Sequence, residues 1–321
     1  MHNLHLAVKE NNPYLVKTLL QSNLVAKGWI GVNQVDKKGR SPLHLAAKYG
    51  YHSILLLLLE DKNVAINQQD QYGKTPLHYA ARAGHIEALM LLVGAGADLY
   101  KQDIQGALAL HYAAQTDRLD IVRYLLSRMK EIDYVDNKQK NILHYALMPH
   151  MACLSEGKVA EYLLPKVERL LNKQTIDGYT PLHYATYRLP ILKLLKSYAA
   201  RIDANLSSAT GRTPLHDAIF FNNYQAAKTL LKHFSVDVNK VDGKGNTALH
   251  DLVHAMKREQ AKPNDQAYLL AIAKLLVTKK KVNVSGINKA NETPLALIKK
   301  SKVKSKNLQA LASLLIKHGA K

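Results

Sequence analysis

Apolar residues recur along this chain at helical spacing inside short blocks, and the blocks themselves recur. A typical block opens on a polar stretch ending in Gly, such as Asp36-Lys-Lys-Gly39, Asp70-Gln-Tyr-Gly73 or Asp242-Gly-Lys-Gly245. Ser or Thr, then Pro, then Leu-His follows, and an Ala pair and a later Leu-Leu (Leu58-Leu59, Leu91-Leu92, Leu125-Leu126, Leu230-Leu231) complete it. That spacing predicts two short amphipathic helices per block. Ser or Thr before Pro supplies a cap, and Pro at the first helical position costs no backbone hydrogen bond. Gly50 and Gly84 suit a tight turn between the helices, and the polar stretches are turn chemistry. Leu-His or its remnant recurs at Leu4, Leu43, Leu77, Leu110, Leu143, Leu182, Leu215 and Leu249, with a ninth copy at Leu295-Ala296. The gaps between these leucines are 39, 34, 33, 33, 39, 33, 34 and 46 residues, a 33-residue unit with three insertions. No such unit buries its apolar face alone, so stability has to come from stacking.

The best copies, Gly73-Lys-Thr-Pro-Leu-His78, Gly39-Arg-Ser-Pro-Leu-His44 and Gly211-Arg-Thr-Pro-Leu-His216, together with Gly94-Ala-Gly-Ala-Asp98, resemble the ankyrin repeat. The resemblance implies an all-α solenoid of paired antiparallel helices with β-turn or hairpin fingers. It implies one array over residues 1–321, with repeats starting near 1, 36, 70, 103, 136, 175, 208, 242 and 288. In the family the histidine ties adjacent loops, and the fingers and exposed inner-helix positions of the concave face hold partners.

Departures from the pattern mark what is particular to this chain. The first unit lacks a finger and carries extra residues around 27–31. The fifth, eighth and ninth are stretched between their helices, near 147–156, 256–267 and 300–306, which the family pattern puts along the edge opposite the fingers. The sixth is shortened through Arg188-Leu-Pro190, and its finger has Thr175 in the place of the usual Asp. The last residues read as the end of an interior repeat, so either lysines serve as the cap or the natural chain continues.

Charge changes this picture more than composition does. Hydrophobic residues make up 47% and charged residues 22%, ordinary for a folded chain, but 45 Lys and Arg face 25 Asp and Glu for a net +20. From Lys257 to Lys321 there are 15 basic residues and three acids. The dense runs are Lys279, Lys280, Lys281 and Lys299, Lys300, Lys302, Lys304, Lys306. They read either as a polyanion-binding edge, for acidic protein, anionic lipid or nucleic acid, or as a solvated cap of the last repeat. The one cysteine, Cys153, excludes an intramolecular disulfide and suits a reducing compartment. The expected setting is cytoplasmic. A Lys-, Asn- and Gln-rich array of this kind is similar to those that intracellular bacteria deliver into host cells as effectors, which would place it in the host cytosol or nucleus; a eukaryotic cytosolic protein stays open.

Enzymatic and metal chemistry find little support in the residues. The repeated histidines are spaced by the fold; His250 and His254 share a helix face but have no third ligand in view. His150 and Cys153 form no more than a weak nucleophile-base pair. No phosphate-binding loop, kinase signature or serine elbow is present, so the expectation is a non-enzyme without cofactor. Partner-binding candidates are the exposed inner-helix positions after the Ala pair and the finger residues nearby. One set is Tyr187, Arg188, Phe220 and Phe221, where aromatics and Arg make binding anchors, unless the rings tuck into the core between repeats. The other is Lys48, Tyr49, Tyr72 and Arg82, with Lys38, Arg40 and Lys74 beside them. Tyr79, Tyr112, Tyr145 and Tyr184 read as inner-helix packing positions rather than a ligand ladder. The expected protein is a monomer that binds a protein partner; the alternatives are a polyanion binder using the lysine-rich C-terminal repeats and the recognition module of a larger enzyme.

Overall fold

The structure, a computed structural model, describes residues 4–22, 31–148, 157–257, 263–279, 281–303 and 305–320. Among them stand 18 α-helices, three short 3-10 turns and no strand; the one β-bridge, Val135 with Asn141, is isolated. The fingers are therefore tight turns rather than hairpins. No helix of the described residues is long and apolar enough to cross a membrane. The residues group into two compact units. The first holds the described residues up to Ala146 with 157–167; the second holds Leu147, Met148 and those from Glu168 onward.

In the first unit each repeat contributes an inner and an outer helix. The inner helices are α1 (Leu4–Lys9), α3 (Pro42–Tyr49), α5 (Pro76–Ala83), α7 (Ala109–Gln115) and α9 (Ile142–Leu147). The outer ones are α2 (Pro13–Leu20), α4 (His52–Leu59), α6 (Ile86–Gly94), α8 (Leu119–Leu126) and α10 (Lys158–Leu163). Each layer packs helix on neighbouring helix. The Ala pairs Ala46-Ala47, Ala80-Ala81 and Ala113-Ala114 are buried where inner helices meet, and their small size is what lets the backbones approach. The second unit repeats the arrangement. Its inner helices are α11 (Pro181–Ala185), α13 (Pro214–Phe220), α15 (Ala248–Met256) and α17 (Pro294–Lys299). Its outer helices are α12 (Leu189–Leu195), α14 (Tyr224–His233), α16 (Pro263–Val277) and α18 (Lys306–Lys317).

Helix start and repeat-to-repeat contact are made by one residue, the histidine. In α5 the N–H of Thr75 donates to His78 Nδ1 at 3.1 Å, and the Thr75 hydroxyl lies 2.9 Å from the same nitrogen. His78 Nε2 lies 3.0 Å from the Ala107 carbonyl of the next repeat. Because a backbone N–H can only donate, Nδ1 must carry the lone pair and the proton sits on Nε2. The same pairing recurs at His44 with the Lys74 carbonyl (2.9 Å), His111 with Tyr134 (3.0 Å), His183 with Arg212 (3.1 Å), His216 with Asn246 (3.1 Å) and His250 with Glu292 (3.0 Å). An N-cap substitution costs about 1 kcal/mol. Losing the ring would orphan a buried donor and a carbonyl as well, each worth about 1–3 kcal/mol. The histidine is thus the costlier of the two to remove.

The fingers are closed and joined by the backbone. Asp70 Oδ1 accepts from the N–H groups of Tyr72 and Lys74, both at 2.9 Å, and Asp36, Asp103, Asp136 and Asp242 do the same in their own turns. Neighbouring fingers are tied by Ile104 N–H to the Tyr72 carbonyl (3.1 Å) in the first unit and by Gly243 N–H to the Thr210 carbonyl (2.7 Å) in the second. Gly73 is required twice over: its φ is +73°, and a Cβ there would sit 2.7 Å from the Ile104 nitrogen. A second ladder runs through asparagines that the repeat pattern had not singled out. Asn205 accepts from the Asp237 N–H and donates to the Ser235 carbonyl, and Asn67, Asn172 and Asn239 bridge the same way.

The expected insertions resolve unequally. Residues 23–30, 149–156 and 258–262, with His150 and Cys153, lie outside the described residues. The second half of the 256–267 stretch is not a loop: it extends α16 to 15 residues, where α14 has 10.

The buried rings set a pH dependence. Burial lowers the basicity of His44, His111, His183 and His250, and takes His78 and His216 from the ordinary 6.5 to about 4. Between these values the unfolded chain binds protons that the folded chain refuses, so stability rises with pH there and is lost as pH falls from 6.5 towards 4. The urea midpoint should drop steadily from pH 7 to pH 4.5, before most carboxylates titrate. A flat profile over that window would mean that the rings are not neutral in the folded state.

Candidate functional site

In the second unit three aromatic side chains meet at the C-terminal ends of inner helices. Phe220 ends α13, and Phe221 follows it at the cap position. Tyr187 lies in the short turn between α11 and α12, where the sixth repeat is shortened. The Tyr187 and Phe221 ring centres are 5.2 Å apart, and Phe220 meets Phe221 edge-on at 5.1 Å. The phenylalanines do not tuck into the core between repeats: Phe220 is 43% and Phe221 51% exposed. Tyr187 and Arg188 are half-buried beside them. Burial first, and the Asp217 charge second, push the Tyr187 phenol up.

Beneath this patch lies a charged group that the sequence reading missed. Arg212 holds its guanidinium 4.4 Å from the Phe220 ring centre. It bonds Asp217 Oδ1 (2.8 Å), Asp251 Oδ2 (3.3 Å) and the His216 carbonyl (2.6 Å), and reaches Asp242 at 3.9 Å. One partly buried cation thus serves three buried carboxylates on two consecutive repeats, and Asp217 Oδ2 is buried with no hydrogen-bond partner. The sequence carried a signal: Ser208 stands where the finger Asp belongs, while Asp217 and Asp251 stand directly after the histidine, where the third to sixth repeats have Tyr.

The first unit uses that position differently. Tyr79, Tyr112 and Tyr145 each donate their hydroxyl to the finger Asp of their own repeat, Asp70, Asp103 and Asp136, at 2.6–2.7 Å. Burial and those bonds raise all three phenols. These tyrosines therefore brace the fingers, a role beyond simple packing. Around them the aromatic-basic set divides. Lys74 Nζ lies 4.8 Å from the Tyr112 ring centre and 5.9 Å from that of Tyr72, with Arg82 6.0 Å from Tyr112. Burial and the nearby Arg82 lower the Lys74 ammonium. Lys48 sits over Tyr49 (4.9 Å), which stacks on Tyr51. Arg40 is turned inward to Asp36 at 2.6 Å. Burial raises the Asp36 carboxyl, but the bonds from Arg40 and the turn N–H groups outweigh it and leave it at about 2.

The lysine runs are not one uniform patch. Lys280 and Lys304 lie outside the described residues. Lys279 donates to the Leu231 carbonyl at the end of α14, and Lys300 pairs with Glu292 at 2.8 Å. Lys281, Lys299, Lys302 and Lys306 are exposed. Among the described residues no three metal-ligating side chains come together.

Arg212 gives the sharpest test of this geometry. Arg212→Gln should cost about 3–5 kcal/mol of unfolding free energy, because it leaves buried carboxylates facing each other unpaired. Adding Asp217→Asn should recover part of that loss. Denaturant titration of the single and double variants reads both; a loss below about 1 kcal/mol would mean that the carboxylates are solvated.

Comparison with known proteins agrees with the geometry. Residues 4–103, 91–164, 149–242 and 187–285 match the family described as ankyrin repeats (3 copies). A human protein, transient receptor potential cation channel subfamily A member 1, is 33% identical over 130 residues, which covers 35% of this chain and 11% of that protein. With matches that run from residue 4 to residue 285, this chain belongs to the ankyrin-repeat family.

Proposed function

We propose that this chain is a non-catalytic interaction module that holds a segment of a protein partner on exposed inner-helix ends and fingers. The observation that carries the reading is the Tyr187, Phe220 and Phe221 cluster. Two of the chain's three phenylalanines stand about half exposed and packed against each other, over a fixed Arg212. Folding gains little from leaving such surface in water, whereas buried aromatic anchors dominate binding interfaces. The repeats supply a rigid frame, so the anchors lose little entropy when a partner arrives. Lys48, Tyr49, Tyr72 and Arg82 of the first unit offer the same type of chemistry, aromatic faces with cations beside them, and are proposed as contacts for polar or acidic parts of a partner.

The test is capture from lysate by the full chain, compared with Phe221→Ala. The substitution should lower partner affinity by about 2 kcal/mol, roughly 30-fold, as for other hot-spot aromatics. The melting temperature should shift by no more than about 2 °C, because the ring is largely exposed. Capture should persist at 0.5 M salt, where exposed charges are screened to within roughly 5 Å. Capture that collapses with salt, and disappears when Lys299, Lys300, Lys302 and Lys306 are neutralised, would instead support a polyanion-binding role for the lysine-rich end.

A further inference from the structure

We propose that the outer helices of the second unit carry a separate interaction surface: a lysine-rimmed apolar groove between α14 and α16 that takes an acidic segment of a partner protein anchored by one large apolar side chain. It goes beyond the inner-helix reading above, because the two surfaces share no residue.

The groove arises from the long eighth-repeat helix. The extra turns at the start of α16 bring Tyr268 opposite Tyr224, the first residue of α14, and the two rings stack at 6.3 Å. Below them opens a cavity of about 360 Å³ with Tyr224, Ile272 and Leu275 at its apolar floor. Tyr268 is 50% exposed, a large aromatic surface that folding leaves uncovered. Lys228 and Lys232, one helical turn apart on α14, and Lys274 on α16 form the rim. On the other side of α14 a second cavity, about 470 Å³, is lined by Lys193, Lys196 and His233. Among the side chains that the structure describes, no Asp or Glu lines either cavity and none of these five lysines makes an ion pair; the side chains of residues 263–266 at the start of α16 are not among them.

The order of polarity selects the occupant. An apolar floor below a cationic rim suits an apolar side chain that enters first, with anions left at the mouth beside the flexible lysine stems. A bilayer would approach headgroup first and press phosphates onto the apolar floor. Five cations spread along two parallel seams match several carboxylates in a row better than the single anion of a small amphiphile. Charge complementarity of this kind steers encounter and selects partners.

The probe is a set of synthetic ten-residue peptides, each with one Phe or Leu flanked by two to four Glu, together with Glu→Gln twins, dodecanoate, and phosphatidylserine vesicles. Fluorescence anisotropy on the full chain should show binding of Glu peptides and not of their Gln twins. Lys228→Glu with Lys232→Glu should weaken binding at least about tenfold, and Ala271→Trp, at an exposed site on the groove wall, should do the same with no change of charge. Melting curves check that both variants fold. Phe221→Ala should leave this binding unchanged; a loss there would overturn the claim of a separate surface. The proposal also fails if the Gln twins bind equally well, if no Glu peptide binds, or if dodecanoate or vesicles bind in a lysine-dependent way and the peptides do not.

Discussion

Everything in this molecule hangs on a neutral imidazole with its proton on Nε2. Each repeat is too small to bury its own apolar face, so its stability depends on a neighbour held at a fixed distance. The histidine fixes that distance from both ends. Nδ1 closes the start of its own helix, and Nε2 reaches a finger carbonyl of the next repeat at 2.8–3.1 Å. Burial favours the uncharged ring at His44, His78, His111, His183, His216 and His250, and the uncharged ring is the form that can accept at one nitrogen and donate at the other. The finger turns, the glycines at close approach and the asparagine ladder then follow as further ties at the same spacing.

A frame tied this thoroughly by backbone and column residues leaves other positions free to differ, and the two units differ at them. After the histidine, the first unit has tyrosines that brace finger aspartates, and its lysines and arginines lie against aromatic faces. The second unit has Asp217 and Asp251 there in its seventh and eighth repeats, locked to Arg212, and leaves Phe220 and Phe221 at the surface. Charge follows the same division. The second unit holds 26 of the chain's 45 Lys and Arg but only 10 of its 25 Asp and Glu. The excess is thus wider than the C-terminal runs alone, since Lys193, Lys228 and Lys232 stand on its outer helices, and Lys196 just after α12, well before residue 257.

The fold was legible because its determinants are local and repeated. Ser41, Thr75 and Thr213 before Pro, the Leu-His column and Gly73 carry their meaning at fixed offsets, and a single reading explains all copies. The sites were legible only in part. Phe220 and Phe221 were recognisable as a rare pair, but whether their rings faced water or the core depended on the packing of neighbouring repeats. The Arg212 cluster needs Asp251, 39 residues away, so no local window contains it. The groove beside α14 depends on Tyr268 and Lys274 of α16, a helix that starts inside the stretch by which the eighth unit is lengthened, and the sequence pattern does not say where in that stretch the helix begins.

The most direct test of this account is the tautomer and charge of the repeated histidines, read by long-range proton–nitrogen correlation of the imidazole rings at pH 6. His44, His78, His111, His183, His216 and His250 are expected to be neutral, with the proton on Nε2 and an unprotonated Nδ1. Rings protonated on both nitrogens, or carrying their proton on Nδ1, would contradict it.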